Sequence, residues 1–338
     1  MHYWLSFFLL LSTTLTAQTI QTGIKSLDKR NMALTLLKMY DPTSYAMIEE
    51  YEAAPSTYQL GDEIIVIEEK ESLVKYLEED NYISVIDGLN QAVHEVAHGY
   101  ANHMSYKYIQ KSNELYDWNA DHYAFFINGE VLIVPITETF PAYETRHLFS
   151  EELQTFRFPT YIAPSYRNLN TQANGIYGLL NELVAYYHGT KAAYEMYHYF
   201  DQYSQGTPED WLVYLANVNS TYYAYLEFKL YIYKYLIYAK AYHPQVYEEV
   251  LNNVAFKRTY QLANRHFEKL IQDYFIQKSR IVKQLQKANY KVTEDNEYII
   301  IRGKDYASGR GNFLKTYKTL KKELDKNTYK AIEMVLSE

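Results

Sequence analysis

His94, Glu95, Val96, Ala97 and His98 read as HEVAH, an HExxH string set inside a helix-period stretch. On a helix, side chains four positions apart project from one face, one turn above the other, so the two imidazoles can converge on a single metal ion. Glu95 is not needed as a ligand. It stands beside the ion, where its carboxylate can hold a water and take its proton, leaving a hydroxide nucleophile near neutral pH. That is chemistry suited to amide hydrolysis. The chain contains no cysteine, so any ion must be held by nitrogen and oxygen donors, and Zn2+ is the expected one.

Such a motif works only on a helix, and its surroundings predict one. From about Asp87 to Tyr108 there is no proline, Leu89, Val93, Val96, Ala97, Tyr100 and Met104 recur at three- and four-residue spacings, and Ser84 or Asp87 is available as an N-cap. If the string were accidental, His94 and His98 would be ordinary polar residues on a half-buried helix, and two imidazoles and a carboxylate on an apolar stripe would need other partners. His103 lies five positions after His98, about 140° around the helix, and is expected to point away to the surface.

A catalytic zinc needs a third protein ligand and a fourth position left for water. Glu182 stands among Leu179, Leu180, Leu183 and Val184 in a second apolar-periodic run that opens after Asn174-Gly175 and continues toward Phe200. A carboxylate there is costly unless it is paired or binds a metal. Asp117, Asp121, His122, Glu144 and His147 remain alternatives, in which case Glu182 would make a structural salt bridge.

His94, Glu95, His98 and Glu182, with the N-E-x-x-A-Y pattern around Glu182, resemble the gluzincins, zincin-fold metallopeptidases in which a glutamate on a later helix completes HExxH. The interval from His98 to Glu182 is longer than most gluzincins have, and Ala101 and Met104 stand where metzincins would carry glycine and histidine. The resemblance implies Zn2+ on His94, His98 and Glu182, with Glu95 as general base. It also implies a donor to the developing oxyanion, commonly tyrosine, histidine or arginine. Tyr186, one turn after Glu182, is the candidate that spacing favours, and Tyr177, His147 and Tyr166 are the others.

The fold class expected is α+β, mainly helical: a zincin-like catalytic core with a small antiparallel sheet over 18–205, and a helical C-terminal region over 206–338. Residues Trp4 to Leu11 and the polar stretch up to Ala17 have the shape of a signal peptide, 1–17, which places the mature chain in a bacterial periplasm or outside the cell. No membrane span is expected after its removal. A formal charge of −8 and a pI near 5.7 argue against nucleic acid as a partner and leave a peptide or protein substrate.

Along the chain, helices are expected from Ser26 to Met39, over Glu71 to Glu79, from Pro208 to Pro244, onward to Ala288, and from Phe313 to Leu336. Strands are expected at Ile64–Ile67 and about a hairpin turn at Asn128-Gly129, with another strand or small hairpin at Val292–Arg302. By analogy with zincins, that hairpin is the candidate to lie along a substrate cleft. The prolines from Pro135 to Pro164 mark an irregular connector. Among 39 tyrosines, the dense run Tyr222, Tyr223, Tyr225, Tyr231, Tyr233, Tyr235 and Tyr238 reads as an amphipathic helix burying its rings rather than as an aromatic platform. Two other functional classes stay open: an inactive zincin-like binding or structural protein at the cell surface or in the periplasm, and an interaction domain with no metal.

Overall fold

A computed structural model describes residues 28–77, 81–112, 117, 120–203 and 207–338. The signal peptide expected at 1–17 lies outside the described residues, as does the expected boundary between 205 and 206. Within them the chain is mainly helical, with small antiparallel sheets.

Helix α1 (Lys29–Tyr40) is capped by the Asp28 side chain and ends at Asp41, which in turn caps α2 (Pro42–Glu52), where Pro42 opens the first turn. Strands β1 (Thr57–Leu60) and β2 (Glu63–Val66) form a hairpin whose first strand gave no sequence signal. Of the helix expected over Glu71 to Glu79, positions 78–79 lie outside the described residues and the rest forms only a single 3-10 turn, Leu73–Tyr76. Its approach is held by tertiary bonds rather than helical ones: the Glu71 amide donates to the Tyr51 hydroxyl, 3.0 Å, and Lys70 to the Tyr51 carbonyl, 3.2 Å.

The motif helix, α3 (Tyr82–Lys111), begins earlier than its sequence suggests and is capped by Asn81, not by Ser84 or Asp87. Against it lies the hairpin of β3 (His122–Ile127) and β4 (Glu130–Pro135), turned at Asn128 and Gly129 with φ of 52° and 89°. Both values are positive, as a type I′ turn requires. All six residues of β3 are buried, and β2 is the more exposed strand.

Helix α4 (Gly175–Glu195) carries Glu182 and is buried on nearly every side. After α5 (Tyr197–Gln202), Thr207 caps α6 (Pro208–Asn219). The tyrosine-rich α7 (Ala224–Tyr242) is not amphipathic: every residue from Ala224 to Leu236 is buried. Several of its hydroxyls are paired inside, Tyr235 donating to the Phe140 carbonyl at 2.8 Å and Tyr225 to Asn264 at 2.7 Å, while that of Tyr231 is buried without a hydrogen bond. Helix α8 (Pro244–Asn252) precedes the long α9 (Val254–Lys287), with Asn253 between them capping the latter.

The strand region near 292 is a three-stranded meander, β5 (Lys291–Glu294), β6 (Tyr298–Arg302) and β7 (Ala307–Gly311). The single last helix expected breaks into α10 (Leu314–Leu324) and α11 (Asn327–Ser337) at the extended Lys326. The break lets both apolar faces, Leu320 on one and Tyr329, Ile332 and Leu336 on the other, reach the core. One hydrophobic cluster runs from Met32 to Leu336, and within it α7 and α9 pack on α4, while α10 and α11 pack on α7. No helix among the described residues is long and apolar enough to cross a membrane.

Candidate metal centre

Helices α3 and α4 cross where glycine permits it. A Cβ on Gly189 would lie 2.5 Å from the Asn90 carbonyl oxygen and 3.2 Å from the His94 Cβ, so only a bare α-carbon lets the two backbones approach this closely. The crossing brings His94, His98 and Glu182 together, with one ligand atom from each lying within 4.8 Å of the others. Glu182 Oε2 is 3.7 Å from His94 Nε2 and 3.4 Å from His98 Nε2. That oxygen is buried and makes no hydrogen bond. A buried carboxylate oxygen without a hydrogen bond is costly unless a cation stands beside it, which is protonated His98 in the metal-free centre and would be a metal ion in the loaded one.

The two Nε2 atoms are 3.0 Å apart, close enough that only one proton fits between them. His98 carries it. Burial opposes its charge, but Glu182, Asn181 and Glu95 outweigh that cost and push its pKa up to about 9. His94 is held neutral, its pKa driven well down by burial and by the charges of His98 and Arg157. On its far side His98 Nδ1 meets Asn181 Oδ1 at 2.5 Å, and since that oxygen can only accept, Nδ1 bears a hydrogen and Nε2 is the nitrogen turned to the cluster. Two imidazole nitrogens and one carboxylate oxygen, with the outer nitrogen of one ring anchored, fit the donor set of a catalytic zinc.

Glu95 is half-buried in a cleft of about 570 Å³, lined also by His94, Phe156, Arg157, Tyr161 and Tyr186. Burial raises its pKa above that of an ordinary glutamate; His98 opposes the rise, and Glu182 and Glu71 add to it. Tyr186 packs edge-on against His94, 4.3 Å between ring centroids, and its hydroxyl lies 3.1 Å from that of Tyr161. The Arg157 guanidinium sits 4.3 Å from the centre of the Tyr186 ring and is paired with the fully buried Glu227 at 2.8 Å.

The alternative ligands lie elsewhere. Asp121 and His122 line a separate cleft of about 530 Å³, where His122 Nδ1 is 2.6 Å from the Ala120 carbonyl and Asp117 is close enough to influence its charge. Glu144 pairs with His243 at 3.0 Å, and His147 rests against the Tyr238 ring. Of the other oxyanion candidates, Tyr177 is fully buried on Thr137 and Asn253, and Tyr166 is 72% exposed. His103 is not a free surface residue: it is half-buried, stacked on Tyr51 and 3.0 Å from the Tyr51 hydroxyl.

Sequence reasoning missed Asn181, Tyr161, Arg157 and Glu227. The first stood in plain view beside Glu182. Arg157 and Tyr161 come from the irregular connector, where no periodicity marks a direction, and Glu227 was hidden in the tyrosine-rich run. Compared with models of known protein families, with curated proteins and with solved structures, the chain finds no match in any of the three.

Proposed function

We propose that this chain is an exported zinc-dependent metallopeptidase with a zincin-like core, secreted or periplasmic, acting on peptide bonds. The observation that carries the proposal is the buried Glu182 Oε2, without a hydrogen bond, facing the Nε2 atoms of both histidines of one HExxH motif. His94, His98 and Glu182 would hold the ion. Zinc there supplies Lewis acidity, which lowers the pKa of water and polarises a scissile carbonyl.

The rest is done by side chains. Asn181 fixes the His98 ring so that Nε2 faces the cluster. Glu95 takes the proton of the attacking water on its carboxylate and returns it to the leaving nitrogen, a role its raised pKa suits. The Tyr186 hydroxyl donates to the carbonyl oxygen as negative charge develops.

The test is hydrolysis of a quenched fluorescent peptide library by the zinc-loaded chain, with Glu95→Gln alongside. Cleavage by the wild type, with a loss of at least about a hundredfold in the variant and zinc retained, is expected. Equal cleavage by Glu95→Gln would refute the assigned base. Bound zinc with no cleavage of any peptide would favour the non-catalytic binding protein.

A further inference from the structure

Buried ion pairs add little stability over well-packed apolar side chains, so a pair of this kind invites another explanation. Arg157 is 4% exposed and lines the candidate metal cleft, and Glu227 behind it is fully buried. The guanidinium is fixed from more than one side. Its Nη1 donates to Glu227 Oε2 at 2.8 Å and its Nη2 to the Ser220 carbonyl at 2.9 Å, while Glu227 Oε1 accepts from the Arg157 amide and the Thr155 hydroxyl. The clamped cation covers Tyr186, at 4.3 Å, and Tyr223, at 4.9 Å, and the Tyr186 ring also stacks on Phe228 with 5.2 Å between centroids. Tyr161 reaches the same hydroxyl from the connector.

Building on the metallopeptidase reading, we infer that Arg157, clamped by Glu227, and Tyr161 are positioning residues that hold and polarise the Tyr186 phenol for donation to the developing oxyanion. A cation over the ring makes the Tyr186 oxygen the better seat for negative charge, so Tyr161 donates to it rather than the reverse. A hydroxyl that accepts one hydrogen bond donates the next more strongly. In a buried site these effects act with little screening. The pair's own neutrality argues against a direct role for Arg157 in capturing a substrate carboxylate, because Glu227 already compensates its charge.

The experiment compares zinc-loaded wild-type chain with Arg157→Met/Glu227→Leu, with Tyr186→Phe, and with the triple variant. Removing both charges together avoids leaving one buried and unpaired, so the double variant is expected to keep its zinc and melting temperature. Its kcat should fall about tenfold or more with KM nearly unchanged, Arg157→Lys should recover part of the loss, and the triple variant should be no slower than Tyr186→Phe. Binding of methylphosphonate, a tetrahedral anion, should weaken in step with kcat. An unchanged kcat, a loss confined to KM, or losses that multiply with that of Tyr186→Phe would overturn the inference while leaving the metallopeptidase reading intact. A wild-type chain that holds no zinc or cleaves nothing would overturn both.

Discussion

The proton between His94 and His98 is the group a metal must displace, and this gives the centre a defined response to pH. In the metal-free protein His98 keeps its charge up to about pH 9, whereas coordination needs it neutral. Zinc affinity should therefore climb by about tenfold per pH unit from neutrality to about pH 9; chelator competition at several pH values checks it, and a flat profile would count against His98 as a ligand. The same proton has a linked effect on stability. The pKa in the folded protein exceeds the unfolded value of roughly 6.5, so the contribution of His98 to metal-free stability is full below that pH and is lost as pH rises through about 9. Melting curves of the chelated protein should fall across that window, and zinc should flatten the trend. Asn181→Ala removes the anchor of the His98 ring, and zinc should bind about 10- to 100-fold more weakly while the fold is kept.

At the scale of elements, the centre depends on how closely α3 and α4 cross. Gly189→Ala would drive a methyl group into the Asn90 carbonyl and the His94 Cβ. The strain should cost roughly 1–3 kcal/mol in stability. Because the same contact sets the spacing of His94 from Glu182, zinc affinity should fall as well; a variant with weakened melting but unaltered zinc binding would show that the crossing does not set the site. The two helices were legible because their signals are local: spacing put both histidines on one face, and a carboxylate in an apolar run marked Glu182. The Asn128-Gly129 turn and the Thr207-Pro208 helix start were legible for the same reason. What could not be read was anything decided by distant contact. Glu71 to Tyr76 has helical composition but is held by Tyr51, and α7 looks amphipathic by letters yet has no solvent face from Ala224 to Leu236 because α4, α9, α10 and α11 pack around it.

For the molecule as a whole, the candidate centre lies inside the continuous core rather than on a separable module. An ion joining α3 to α4 ties together the elements on which the remaining helices pack. Zinc in thousandfold excess over its dissociation constant should add about 4 kcal/mol to unfolding, seen as a higher melting temperature that chelation reverses and that is absent in Glu182→Ala. The connector that supplies Arg157 and Tyr161 shows why part of the site stayed unread at this scale: its residues are close to His94 only once α7 has brought Glu227 to meet them.

The most direct measurement is the metal content of the purified chain after dialysis, read by elemental mass spectrometry beside the Glu182→Ala variant. One zinc per wild-type chain, and little or none in the variant, is the result predicted. A wild-type chain carrying no divalent ion, or a variant that holds zinc as firmly as the wild type, would contradict the centre on which the proposed activity rests.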